Sequence, residues 1–95
     1  MLSKLKAADF QKYLGQQFEI ANGDTNVKVK LAEVSELGQS VREGGSFSLV
    51  FDTADEIGLE QGVYAVSHDK MDAIELFLVP IGPFGVGEGY ESVFT

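Results

Sequence analysis

A chain of 95 residues, 44% apolar and carrying a net charge of −8, encodes one folded domain, too short for two cores and too apolar for disorder. Seven basic residues against fifteen acidic ones exclude the phosphate-neutralising surface that nucleic acids and anionic membranes require. The lack of cysteine excludes disulfides and thiolate metal sites, and seven Phe with no Trp favour a dry core over an aromatic recognition surface.

The start, Met1-Leu2-Ser3-Lys4-Leu5-Lys6, is too polar and charged for the apolar core of a signal peptide. No apolar run approaches the roughly 18 residues of a membrane span, and the longest, Leu76–Ile81, has the length of a strand. The expectation is a protein made in the cytoplasm, without membrane insertion. Its final location is open, and an extracellular or tail-like assembly would be reached without a cleaved N-terminal signal.

A helix is expected over Ala7–Leu14, where Phe10, Tyr13 and Leu14 fall at i, i+3 and i+4 and form one apolar stripe. Gly15 is suited to the position just past its end. Two turns are not stable alone, so this helix must lie on a sheet. The period then changes to two. Gln17–Ile20 alternates, Asn22-Gly23-Asp24 supplies a hairpin turn, and Val27–Leu31 alternates with Lys28 and Lys30 facing water. The alternation slips at Ala32-Glu33-Val34, which predicts a bulge.

Gly38–Gly45 reads as a polar loop, and Phe47–Phe51 as a third strand with Phe47, Leu49 and Phe51 on one face. Asp52–Leu59 is a connection with room for one helical turn. Gly62–His68 is a fourth strand, turning at His68-Asp69-Lys70 into a fifth over Ala73–Val79. There Ile74, Leu76 and Leu78 face one way, and Glu75, Phe77 and Val79 the other, so the second face is also expected to be partly covered, by the helix or by another copy. Pro80–Gly89 reads as a glycine-rich loop, and Tyr90–Phe94 as a sixth strand lying at an edge unless it pairs with an early one. The expected fold is mainly β with a minor α component: a small antiparallel six-stranded barrel or rolled sheet with one short N-terminal helix, in a single domain.

His68 is the only histidine and the natural candidate for acid–base work, beside Ser67, Asp69 and Asp72. Adjacent strand residues point to opposite faces, so Ser67 and His68 do not converge on one atom, and His68 reads as a turn residue. Asn22–Asn26 and Asp52–Glu56 are oxygen-rich but lack the spacing of the twelve-residue calcium loop, and their residues are also those that turns demand. Gly82, Gly85, Gly87 and Gly89 precede a strand rather than a helix and have no Lys nearby, which argues against a phosphate cradle. Phe84, at the tip of that segment, either tucks onto the core or inserts into a partner.

Several segments together resemble a known family. They are Ala8-Asp9-Phe10, Leu14–Phe18, Phe47–Phe51, Gln61–Tyr64, the run Glu75–Gly82 and the closing Tyr90–Phe94. The set is similar to small bacterial domains of the DUF6916 type, of unknown function, often encoded near proteins with phage tail-collar-like domains. Lys6 stands where a helix-capping Thr is expected, and Gly82–Gly89 is richer in glycine than the pattern. The resemblance implies a structural or assembly role and transfers no catalytic residue.

The expectation for function is a non-enzymatic structural subunit that self-associates, in a filament or phage-tail-like assembly. Its candidate interface is Phe84, Phe77, Val79, Tyr90, Val93 and Phe94, with Tyr90–Phe94 as an edge strand that pairs with a neighbouring copy. No catalytic residue, cofactor or metal site is assigned. One alternative is an adaptor or chaperone-like module for a larger fibre or tail protein, using the Gly38–Gly45 and Gly82–Gly89 loops. The other is an enzyme or calcium-dependent carbohydrate binder built on the acidic loops.

Overall fold

Inward residues at every second position give the strands a buried inner face, and the sheet they form closes on itself. The computed structural model describes residues 5–38, 45–54, 57–85 and 87–94; the expected loop at Gly38–Gly45 lies, apart from its end glycines, outside them. The elements are α1 (Ala7–Gln11), β1 (Gln17–Asn22), β2 (Thr25–Gly38), β3 (Ser46–Thr53), β4 (Gly62–His68), β5 (Met71–Phe84) and β6 (Gly87–Phe94). The strands are antiparallel and form a closed barrel in the order β1-β2-β3-β6-β5-β4. Closure rests on a short contact, Glu19↔Ser67 and Ile20↔Val66, between β1 and β4.

The inward residues make one core. Phe18 and Ile20, Val29 and Leu31, Phe47, Leu49 and Phe51, Leu76 and Leu78, and Tyr90 and Phe94 alternate along their strands and are all buried. Phe47 and Phe94 are register partners whose rings stack at 4.3 Å, and Phe10 of α1 packs against both at 5.8 and 5.9 Å. The helix is thus a stopper over the start of β3 and the end of β6.

That helix is shorter than the apolar stripe suggests. It stops at Gln11 and passes through turns to Gly15, so Leu14 ends up exposed. The Lys6 side chain has no oxygen with which to cap the first turn, but the Asp9 carboxylate accepts the Lys6 N–H at 2.8 Å, half of a capping box. Gly15, at φ +84°, then lashes the turn to β2 by donating its N–H to Leu31 O at 2.8 Å. In the β1–β2 hairpin Asn22 pairs with Thr25, which leaves Gly23-Asp24 as a two-residue loop with Gly23 at φ +64°. The bulge expected near Ala32 is present as a register shift between Leu31 and Glu33.

Three expectations are corrected. β3 runs on through Thr53, and the described part of the following connection, residues 57–61, contains no helical turn. Most of Pro80–Gly89 is not a loop: β5 continues to Phe84 and β6 begins at Gly87, with Gly82↔Gly89, Pro83↔Glu88 and Phe84↔Gly87 in register. Finally, Tyr90–Phe94 is not an edge. β6 lies between β3 and β5 and pairs with β3 from Phe47↔Phe94 to Thr53↔Glu88.

The glycines make the long hairpin possible by letting it approach the end of β3. A Cβ on Gly87 would fall on the Thr53 carbonyl oxygen and within 2.9 Å of Ala54 Cα, and one on Gly85 would meet the Asp52 carboxylate. The prolines are tolerated because β5 has by then passed its last β4 partner, at Gly62↔Leu78. Their missing N–H groups therefore leave no β4 carbonyl without a ladder bond.

Candidate functional site: the outer face of β4, β5 and β6

His68 ends β4, and its ring is held on every side. The Lys70 N–H can only donate, so Nδ1 accepts it at 3.0 Å; the proton is on Nε2 and is donated to Gln16 Oε1 at 2.7 Å. The ring packs at 4.3 Å from Tyr13 and 4.8 Å from Phe18. His68 is a turn residue, as its position suggests, but one that joins the β4–β5 turn to the segment after α1 rather than one bathed in solvent. A depression of about 140 Å³ beside it is lined by Gln17, Glu19, Ser67, His68 and Asp69. Both ring nitrogens are already committed to hydrogen bonds.

The two oxygen-rich segments are drawn into the sheet. Asn26 Nδ2 donates to Glu19 Oε1 across the β1–β2 pair at 3.2 Å. Asp52 is buried in β3, with Lys30 Nζ 4.0 Å away, while residues 55 and 56 lie outside the described residues. Among the described residues no three His, Cys, Asp or Glu side chains converge as metal ligands. No described helix is long and apolar enough to cross a membrane.

The exposed surface departs from the ordinary on the outer face of β5. Since Ile74, Leu76 and Leu78 point inward, Glu75, Phe77 and Val79 point out. Phe77 is 50% exposed and sits directly opposite Val63 of β4, which is 62% exposed. Continuing the Val79↔Glu91 register by two residues brings Val93 of β6, 50% exposed, alongside Phe77 on its other flank. Farther along β5, Ile81 keeps the outward phase of Phe77 and Val79 at 39% exposure, within the register shift between Pro80 and Gly82. Ile81 and Phe84 close over Gly89, where a Cβ would stand 2.7 Å from that of Phe84 and 3.0 Å from Ile81 Cγ1. The result is one apolar tract crossing three strands, in a fold whose other aromatic rings lie mostly in the core.

Its charges are all of one sign. Glu75 and Glu91 project from the same face, and no Lys or Arg lies on β4 or anywhere from Met71 to Thr95. The opposite wall of the barrel is different. Around the ring, β2 is three strands from β5 in either direction, so the two are diametrically opposed. An open groove of about 330 Å³ on that side is lined by Gln17, Lys28, Lys30, Asp52, Thr53 and Ala54 among others. Lys30 reaches Asp52 only at 4.0 Å and leaves 52% of its side chain exposed; Lys28 faces Glu19 across the β1–β2 register.

Of the six residues expected to form an interface, Phe77, Val79 and Val93 lie on this outer tract, and Phe84 flanks it, packed over Gly89 rather than standing free at a loop tip. Tyr90 and Phe94 do not belong to it. Both point inward and are buried, Phe94 against Phe47 and Phe10, and Tyr90 with its hydroxyl accepting the Leu59 N–H at 3.1 Å. Val63 and Ile81 are members that the sequence reading missed. Val63 could have been found by pairing the outward phase of the fourth strand with that of the fifth.

No curated protein and no solved structure matches the chain. A family model does, that of the domain of unknown function DUF6916, and it spans residues 5–94, from the segment leading into α1 to the end of β6. The chain therefore belongs to the DUF6916 family.

Proposed function

We propose that the protein is a non-enzymatic structural subunit that self-associates through the outer face of β5, in a filament or tail-like assembly. The observation that carries this reading is the contiguous tract of Val63, Phe77 and Val93, three half-exposed or more exposed apolar side chains side by side on paired strands. Single exposed apolar residues are ordinary on any protein, whereas a contiguous tract centred on an aromatic ring has the anatomy of an interface anchor. The edge-pairing route falls away with the closed barrel, so the contact in this reading is made by a face. The tail-like setting rests on association alone, since domains resembling this one are often encoded beside proteins with tail-collar-like domains.

Light scattering behind a sizing column tests it. Wild-type protein is expected above its 10.3 kDa protomer mass, and Phe77→Asp is expected at that mass with an unchanged circular dichroism spectrum. A wild type that stays at 10.3 kDa at all concentrations would overturn self-association and leave an adaptor for a larger fibre protein as the better reading.

A further inference from the structure

Resting on that reading, we infer that the copies join head to tail: the acidic, apolar outer face of β5 of one copy seats on the Lys28–Lys30 groove of the next. If the β5 face met the same face of a second copy, Glu75 and Glu91 would be brought against another set of carboxylates, with no Lys or Arg on β4, β5 or β6 to offset them. An isologous contact is therefore disfavoured by the composition of the face itself.

The groove across β1, β2 and β3 has the complementary character. It is concave where the β5 face carries a projecting phenyl ring, and Lys28 and Lys30 stand on it as the only Lys or Arg side chains on the described strands. Neither lysine is fully engaged by its own copy. Lys30 has Asp52 at 4.0 Å with half its length in solvent, and exposed Lys28 faces a Glu19 whose Oε1 already accepts a hydrogen bond from Asn26. Phe77 supplies the apolar anchor, and Glu75 and Glu91 meet the lysines at the rim, where they choose the orientation more than they add affinity.

Because the two faces lie on opposite walls of the barrel, a joined pair of copies still offers one free face of each kind, one on each copy. A contact of this type propagates, giving a filament, or a ring where the rotation between copies closes.

Two single-face variants test the geometry. Phe77→Asp disables the β5 face and keeps the groove; Lys28→Glu with Lys30→Glu disables the groove and keeps the β5 face. Each variant alone is expected to be monomeric, and an equimolar mixture, at a protein concentration high enough to populate a single contact, is expected to give a heterodimer of twice the protomer mass that grows no further. Val63→Asp, a second outward substitution on the same tract, is expected to reproduce Phe77→Asp, and circular dichroism melts of every variant establish that the barrel is intact. If the double lysine variant assembles like the wild type, or if the mixture stays monomeric, head-to-tail joining is overturned while self-association stands. If the wild type itself is a monomer, self-association fails and the head-to-tail contact fails with it.

Discussion

Phe94 and Phe77 are two phenylalanines that the barrel treats in opposite ways, and truncating each to alanine separates core from surface. Phe94 is buried, stacked on Phe47 at 4.3 Å with 10° between the ring planes, and within 5.9 Å of Phe10. Removing a buried Phe side chain costs about 3–5 kcal/mol, the transfer energy of the ring plus the cavity left behind. That is a large fraction of the roughly 5–15 kcal/mol by which a domain of this size is stable. At about 4–8 °C per kcal/mol for a small domain, the melting temperature should fall by on the order of 20 °C. Phe77 is half in water already, and its cross-strand contact with Val63 contributes only about 0.2–1 kcal/mol. Phe77→Ala should therefore leave folding nearly untouched while weakening association. Urea unfolding followed by far-ultraviolet circular dichroism measures both, provided it is done at a dilution where the wild type is monomeric, since association adds apparent stability. A Phe94→Ala loss below about 1 kcal/mol would refute the packing argument, because no buried ring leaves a well-packed core so cheaply.

Two further predictions concern folding. Gly87→Ala places a methyl group on the Thr53 carbonyl, a backbone atom that cannot rotate away, and should cost about 1–3 kcal/mol. Gly62→Ala, whose nearest atom would be Tyr64 Cε2 at 3.8 Å, should be close to neutral in the same urea series. Burial pushes the Tyr90 phenol above its ordinary value of 10.0, with the Leu59 N–H pulling it partly back and the Glu88 carboxylate adding to the rise. A raised acid binds its proton more tightly folded than unfolded, so this stability is intact below pH 10.0 and is lost as pH rises beyond it. Tyr90→Phe should flatten that alkaline slope in melts from pH 9 to 12, while leaving the Leu59 N–H without its acceptor at a cost of about 1–3 kcal/mol at neutral pH.

Where one face of a strand is buried and the other wet, the sequence announces it. Gln17–Ile20 and Val27–Leu31 were legible in this way, and so was the bulge after Leu31, where the phase of the alternation changes. Neighbour relations were not legible. Phe47 pairs with Phe94 and Ile20 with Val66 across long stretches of chain, and a local period says which face is inward but not which strand stands alongside. The glycines and prolines of β5 and β6 misled for a physical reason. They ordinarily punctuate strands, but here they permit close approach to Thr53 and occupy a stretch of β5 beyond its β4 partner. Ser92 hid the inward phase of β6: a polar residue between Tyr90 and Phe94 on the buried side makes the strand read as a surface. Half of the candidate site was visible nonetheless, because the outward Phe77 and Val79 of a strand with an apolar inner face fit no simple alternation.

The size of the exposed tract also limits how tightly copies can hold one another. Burying the exposed half of Phe77 removes about 100 Å² from water, worth about 2.5 kcal/mol at about 25 cal/mol per Å². Val63 and Val93 add about 1.5–2 kcal/mol each on the same scale. The sum sits at the low end of the roughly 4–15 kcal/mol lost in translational and rotational freedom when two proteins associate. Rim pairs between Glu75 or Glu91 and the lysines add at most about 1 kcal/mol each, and less in salt. A single contact of this composition is thus close to break-even, and lasting assembly requires high local concentration or a closed ring in which every copy is held twice. The mass of the wild type should accordingly fall towards that of the protomer on dilution, and fall sooner at 0.5 M salt than at 0.05 M. An assembly that survives dilution to nanomolar concentration unchanged would mean that the copies share far more surface than Val63, Phe77 and Val93 provide, and would point to a different face.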